Sequence, residues 1–399
     1  MSNTGLRSCT NIRYLNASQN SKITTCDPFA TSLRTLFAQD VCGITDKGLS
    51  KCCNIQILCA ANNVNITTCD PFAKSLRILD ASGSCMGLGY DPSGISDSGL
   101  RLCTSIEDLN ADENNKITTC EPFANSLQIL SATGQCGITD DGLKQCTNIK
   151  KLTADDNKKI TTCNPFATSL QTLSAYGRCG ISDIGLHKCT NIVDLYSDRN
   201  TTITTCTPFA RSLLILRTNI IHDNEIKSCT HIKKLCVRHN QYITTCDPFA
   251  KSLRILVANN SNCAITDYGL RNCTRITELN VNFNNRITTC EPFAGSLRIL
   301  SASDNLCGIS DHGLCKCANI RELYADFNSK ITTCTPFAKS LRILSARYGC
   351  GISYAELDKC VNIRWLNYDA NGNHGTIPKI PRNSRLGRAI ASYDKSMYR

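Results

Sequence analysis

The string "ITTCDPFATSL" at residues 23–33 returns seven more times in near-identical form. Its cysteine falls at Cys26, Cys69, Cys120, Cys163, Cys206, Cys246, Cys290 and Cys334, in steps of 43, 51, 43, 43, 40, 44 and 44 residues. A period of this length constrains the chain more than any other feature. Each unit leans only on its neighbours, so 399 residues make one elongated array rather than two or three globules. Hydrophobic residues make up 41% but aromatics only 6%, which predicts a thin interior built from Leu, Ile, Ala and Cys.

Two shorter motifs alternate within each period, and each is one coil. In the second, apolar residues occupy relative positions 1, 4, 6 and 12 with Asn at 9, as in Ile149, Leu152, Ala154, Ile160 and Asn157. Alternation at 4 and 6 is the period of a strand, here of three or four residues, with positions 2, 3, 5, 7 and 8 facing outward. The asparagine is present in every coil of this kind: Asn20, Asn63, Asn114, Asn157, Asn200, Asn240, Asn284, Asn328 and Asn371. Stacked amides of this kind are expected to satisfy the backbone groups that the bend after the strand exposes.

This "LxxLxLxxNxxI" pattern resembles leucine-rich repeat proteins. The half-repeat "CTNIKKL…ITTC" beside "LRIL…CGITDxGLxxC" is similar to the cysteine-containing subtype of F-box leucine-rich-repeat proteins, over about residues 6–371. The resemblance implies an α/β repeat fold, a leucine-rich-repeat solenoid curved as a horseshoe or arc with short parallel strands on the concave side. Coils of 21–22 residues are short for the family, so short helical or 3₁₀ turns are expected on the convex side; counting strands gives 17 coils. The function implied is a non-enzymatic protein–protein interaction scaffold that holds its partner on the concave face. Two alternatives come with the same resemblance: a substrate-recognition subunit of a ubiquitin ligase, although no F-box precedes the array, and a ribonuclease-inhibitor-like binding protein with a basic partner.

The 28 cysteines are interpreted through compartment. The N-terminus lacks a charged head followed by an apolar stretch, and no apolar run approaches the roughly 20 residues of a membrane span. A reducing, cytoplasmic setting is therefore expected, where cysteines serve as small buried hydrophobes. Nine of them, from Cys9 to Cys360, sit three residues before a strand in a column that alternates with the Ala of "PFA". Only Cys53, Cys59, Cys236 and Cys315 fall outside the repeating columns. Zinc needs four converging ligands, and the nearest approach, Cys315 and Cys317, has no grouped His. A nucleophile needs a base at one special place, whereas these cysteines are shared among all copies. No metal, cofactor or catalytic residue is expected. Eight of the eleven prolines follow the repeated cysteine by two and start a helical turn, and the next residue, Phe29 and its equivalents, should plug the core.

The array is expected over residues 1–373, with an insert at 86–93 displaying Tyr90 and a shortened coil at 217–229, followed by a cap and basic tail at 374–399. The formal charge is +11, but six Lys/Arg against one Asp lie in the last 26 residues, so the body is too weakly basic for a nucleic-acid face. Leu6 to Asn20 would present an open strand edge suited to end-to-end association. Specificity should reside in outward residues that differ between copies. Phe283, Tyr324, Phe327 and Trp365, interleaved with Arg254, Arg298, Arg321, Arg342 and Arg364, have the composition of an interface hot spot. Glu107, Asp108, Asp112, Glu113, Asp155, Asp156, Asp194 and Asp198 mark a candidate acidic patch.

Overall fold

The computed structural model describes residues 1–84 and 93–369. Most of the 86–93 insert, Tyr90 and Asn371 with it, and the whole of 374–399 lie outside the described residues. The chain forms two compact units, Met1–Thr204 and Thr205–Arg399.

In the first unit nine strands run from β1 (Tyr14–Asn16) to β9 (Asp194–Tyr196); each pairs in parallel with the next, leucine on leucine, as in Leu15↔Leu36 and Leu130↔Leu152. The second unit repeats the pattern from β10 (Ile215–Arg217) to β17 (Trp365–Tyr368), with Leu300↔Leu323 and Leu344↔Leu366. The strands are three residues long except the last two, which have four. Each central leucine is buried while its neighbours stay partly exposed, apart from the buried Cys236 and Ser345, the alternation that the period-2 pattern predicts.

Short turns fill the rest of each coil. The "DPF" segment makes a 3₁₀ turn, as at Asp27–Phe29, with proline where its missing N–H has no intrahelical partner to lose. The "DxGL" segment makes a four-residue α-turn, as at Asp46–Leu49. Phe29, Phe72, Phe123, Phe166, Phe209, Phe249, Phe293 and Phe337 are all at most 1% exposed, so the phenylalanine does plug the core. Glycine is demanded in the α-turn because it lies against the preceding coil: a Cβ on Gly48 would fall 2.0 Å from the Thr24 carbonyl oxygen.

Polar side chains tie each coil to the one before. Asn157 donates through Nδ2 to the Ala132 carbonyl (2.7 Å) and accepts through Oδ1 from the N–H groups of Lys159 and Ile160 (2.8 and 3.2 Å). The same bonds form at Asn63 and Asn284, where Ala38 and Ala258 supply the carbonyl. The amides do not stack on one another as the sequence suggested. Ladder asparagines occupy alternate coils, so each reaches the backbone of the intervening coil instead. A second tie was not anticipated: Asp140 Oδ1 accepts from the N–H of Thr161 (2.8 Å) and Oδ2 from its hydroxyl (2.5 Å). Asp46, Asp97, Asp183, Asp223, Asp267 and Asp311 clamp Thr67, Thr118, Thr204, Thr244, Thr288 and Thr332 in the same way. Asn3 takes this role for Thr24 in the first coil.

The shortened coil keeps the architecture through substitution. Thr218 stands fully buried in the column otherwise held by Ala175 and Ala258, and its Oγ1 accepts from the N–H groups of Ile220 and Ile221 (3.3 Å each). At the last described coils Glu356 replaces the aspartate clamp with a different one. Its Oε2 accepts from the Thr333 hydroxyl (2.7 Å), the Cys334 N–H (3.2 Å) and the Thr335 hydroxyl (3.2 Å), beside the Lys359 ammonium.

Removing the ladder amide of Asn157 should leave the buried Ala132 carbonyl, the buried Ile160 N–H and the part-buried Lys159 N–H unpaired. Asn157→Ala is therefore expected to cost about 2–4 kcal/mol in urea unfolding, and Asn20→Ala, whose amide is only half-buried, clearly less. Lys359 and the hydroxyls around it hold the Glu356 carboxyl down at about 2. A depressed carboxyl contributes stability above its unfolded value, about 4.3, and loses it as pH falls through the folded one. The stability difference between the wild type and Glu356→Gln should accordingly be constant near neutrality and shrink between about pH 4.3 and 2, as measured by denaturation at each pH.

Candidate functional site

The repeated cysteines form pairs across adjacent coils: Cys26 with Cys52, Cys69 with Cys103, Cys120 with Cys146, Cys163 with Cys189, Cys246 with Cys273, Cys290 with Cys317 and Cys334 with Cys360. Cys206 and Cys229 form the same contact, sulfur to sulfur at 3.8 Å. The thiol–thiol hydrogen bond, reinforced by burial, holds the "TTC" member far above the ordinary thiol range and draws its partner below it. Cys136 and Cys179, from the third column, are pushed up to about 12 by burial. Both members of these pairs are buried in the coil interior, where cysteine packs as a small apolar side chain. Among the described residues no disulfide is present, and no three His, Cys, Asp or Glu side chains are grouped to hold a metal ion.

The outward residues of the second unit separate into two edges. Arg298, Arg321, Arg342 and Arg364 each stand immediately before a strand: β14 (Ile299–Ser301), β15 (Glu322–Tyr324), β16 (Ile343–Ala346) and β17. Their backbones are in register, because the N–H groups of Arg321, Arg342 and Arg364 donate to the carbonyls of Arg298, Arg321 and Arg342, each at 2.7 Å. With Asn319, Lys339 and Ser340 these four arginines line a cleft of about 580 Å³. Arg254 lies outside it, because Thr277 takes the next place in the column and interrupts the run.

Phe283 and Phe327, expected on outward strand positions, lie instead in the turn beyond the strand exit, with φ of +60° and +63°. The left-handed conformation there bends the chain immediately before the ladder asparagine, which carries both rings away from the arginine edge. They remain about half exposed, and Phe327 stacks on Tyr348 with ring centroids 4.6 Å apart. Arg347 lies over the same Tyr348 ring at 4.8 Å while its guanidinium pairs with Asp326 at 2.8 Å. Tyr348 and Arg347 were not legible as members of this group, since Tyr348 occupies the place that Gly134 and Gly177 hold in other coils. Tyr324 and Trp365 do lie on strands, half-buried, and the Tyr324 hydroxyl donates to Glu322 at 3.2 Å.

In the first unit many of the acidic residues are part of the wall. Asp112 Oδ1 accepts from the Ser131 hydroxyl and the Thr133 N–H (2.8 Å each), and Asp155 does the same for Ser174 (2.7 Å) and Tyr176 (2.8 Å). Glu113 and Asp156 accept from the N–H groups of Gln135 (3.1 Å) and Arg178 (2.8 Å). Asp198 occupies the equivalent position in its coil. Glu107 lies 3.6 Å from Arg77. Asp108, on β5 (Asp108–Asn110), has its carboxyl raised by burial, partly offset by Lys151. The charge that the sequence suggested for a partner is largely engaged in coil-to-coil bonds.

No known protein family and no curated protein matches the sequence. Solved structures do match. The mouse RP105/MD-1 complex is 16% identical with a TM-score of 0.53, covering 97% of this chain and 73% of that one. A leucine-rich repeat protein of Leptospira interrogans is also 16% identical with a TM-score of 0.53, over 80% of this chain and 85% of its own. An internalin from Listeria monocytogenes is 20% identical over 73% and 81% of the two chains, with a TM-score of 0.47. The fold is that of a leucine-rich-repeat solenoid. No helix among the described residues is long and apolar enough to cross a membrane.

Cys53 and Cys315 are exposed, Cys9 and Cys59 half-buried, and the other described cysteines buried. Brief labelling of the native protein with a thiol reagent, followed by peptide mapping, should therefore find Cys53 and Cys315 modified well before any paired cysteine, and all cysteines modified after unfolding.

Proposed function

We propose that the chain is a non-enzymatic scaffold that binds a partner protein across the outward strand face of its second unit. The observation that carries this reading is a division of labour within each coil. The buried column repeats almost unchanged, whereas the outward position of the asparagine-bearing coils varies from copy to copy: Lys234, Glu278, Glu322 and Trp365 lie beside the near-constant Ile215, Ile255, Ile299 and Ile343. A rigid wall with a variable surface is the arrangement by which repeat proteins recognise partners. Tyr324 and Trp365 add aromatic area with a polar handle to that face. The RP105/MD-1 structure, which shares the fold, is itself a complex of two proteins.

Cross-linking pull-down with the full chain from its native cell tests the reading. Combined Tyr324→Ala and Trp365→Ala substitution should weaken capture of the principal partner by about tenfold or more, as loss of aromatic anchors does, with far-UV circular dichroism unchanged. Equal capture by the wild type and this variant would move the contact off the strand face.

A further inference from the structure

We infer that the arginine cleft at the strand entrances of the second unit is a binding site for an acidic, extended segment of a protein, rich in Asp and Glu. The inference deepens the scaffold reading and rests on it for the protein nature of the ligand. Four guanidinium groups in successive coils, Arg298, Arg321, Arg342 and Arg364, are joined by Lys339 around about 580 Å³. None of the four makes an ion pair with a carboxylate among the described residues, unlike Arg271 with Asp247, Lys316 with Glu291, Arg347 with Asp326 and Lys359 with Glu356. Like charges stacked on neighbouring strands repel. Solvent ions screen the exposed pair Arg321 and Arg364 in the free protein, and an anionic ligand would displace them.

The local hydrogen bonds show which donors are left for it. Arg298 Nη1 is taken by the carbonyls of Gly295 and Leu297 (3.1 and 3.0 Å), and Arg342 Nη1 lies 3.4 Å from the Asn362 carbonyl. These bonds fix the two guanidiniums and leave their other N–H groups available. Arg321 and Arg364 are exposed, with side chains that donate to no protein group among the described residues. Two anchored forks alternating with two free ones suit a ligand with several carboxylates, each able to accept two parallel bonds. Four strand-spaced columns span roughly 14 Å, the length of about four or five extended residues.

Charge and lining decide among occupants. The chain's own C-terminal segment, 374–399, carries six Lys/Arg and one Asp, so it is repelled rather than attracted. No aromatic side chain lines the cleft, which removes the stacking platform that single-stranded nucleic acid uses.

Fluorescence anisotropy with a labelled hexaglutamate peptide, against a hexaglutamine control, tests the site on the full chain. Glutamate peptide should bind, glutamine peptide should not, and binding should weaken steadily as salt rises through the range where the Debye length falls below about 10 Å. Combined Arg321→Gln and Arg364→Gln, both exposed and structurally unengaged, should weaken it by about tenfold or more, whereas the charge-matched pair Lys144→Gln and Lys188→Gln in the first unit should not change it. Unchanged binding in the double variant overturns the site. Tighter binding of decathymidylate than of the peptide overturns the ligand class, and salt-sensitive self-association abolished by the double variant overturns the separate partner in favour of a second copy. If hexaglutamate fails to bind while Tyr324→Ala with Trp365→Ala still loses the pulled-down partner, this inference falls and the scaffold stands. If hexaglutamate binds as expected while that strand-face variant captures the partner fully, the strand-face reading falls and the cleft stands.

Discussion

Everything in this molecule depends on the requirement that each coil satisfy its neighbour's buried backbone. A solenoid interior has no second layer to supply partners, so a bend after a three-residue strand must be paired by something reaching across from the next turn. Here it is the amide of Asn157 and its equivalents, working with the Asp140–Thr161 type of clamp on the residues that directly follow. Leucine, isoleucine and cysteine then fill a space that these bonds have already dimensioned. The cysteine–alanine alternation, the glycine at 48 and the phenylalanine at 29 are all consequences of how closely two coils approach.

That tight specification of the wall is also why function must be carried by what the wall leaves unspecified. In the second unit the side chains at the outward strand positions, at the residue before each strand and at Phe283 and Phe327 after it contribute few of the coil-to-coil bonds. In the second unit these positions hold arginines at one edge and aromatics at the other, with Tyr324 and Trp365 between. A basic edge and an apolar edge flanking one strand face suit a protein surface with an acidic margin more readily than a small molecule.

Strand placement, the short outer turns, the buried phenylalanines and the filling role of the cysteines were legible in the sequence, because each follows from a period that eight copies repeat. The site was only half legible. Arg254, Arg298, Arg321, Arg342 and Arg364 could be grouped from the sequence, and the cleft gathers all of them but Arg254; Phe283 and Phe327 could not be assigned to an edge, since nothing in a phenylalanine announces a φ near +60°. Asp112 and Asp155 looked like free surface charge because their partners, Ser131 and Ser174, lie about one coil away in a motif that itself looks unremarkable. The aspartate clamp was missed although it was visible: Asp140 and Thr161 stand 21 residues apart, and six other pairs repeat the distance.

The alternation of coils has a further consequence for how such a chain can change length. A ladder asparagine always reaches a coil of the other kind, and each aspartate clamp joins the second kind back to the first. Losing one coil sets two like coils face to face, with an amide opposite an amide and a clamp opposite nothing. Losing two restores every bond. Parity, rather than length, is what the fold conserves, and a step of about 43 residues is therefore the smallest by which this array can grow or shrink without a fault at the join.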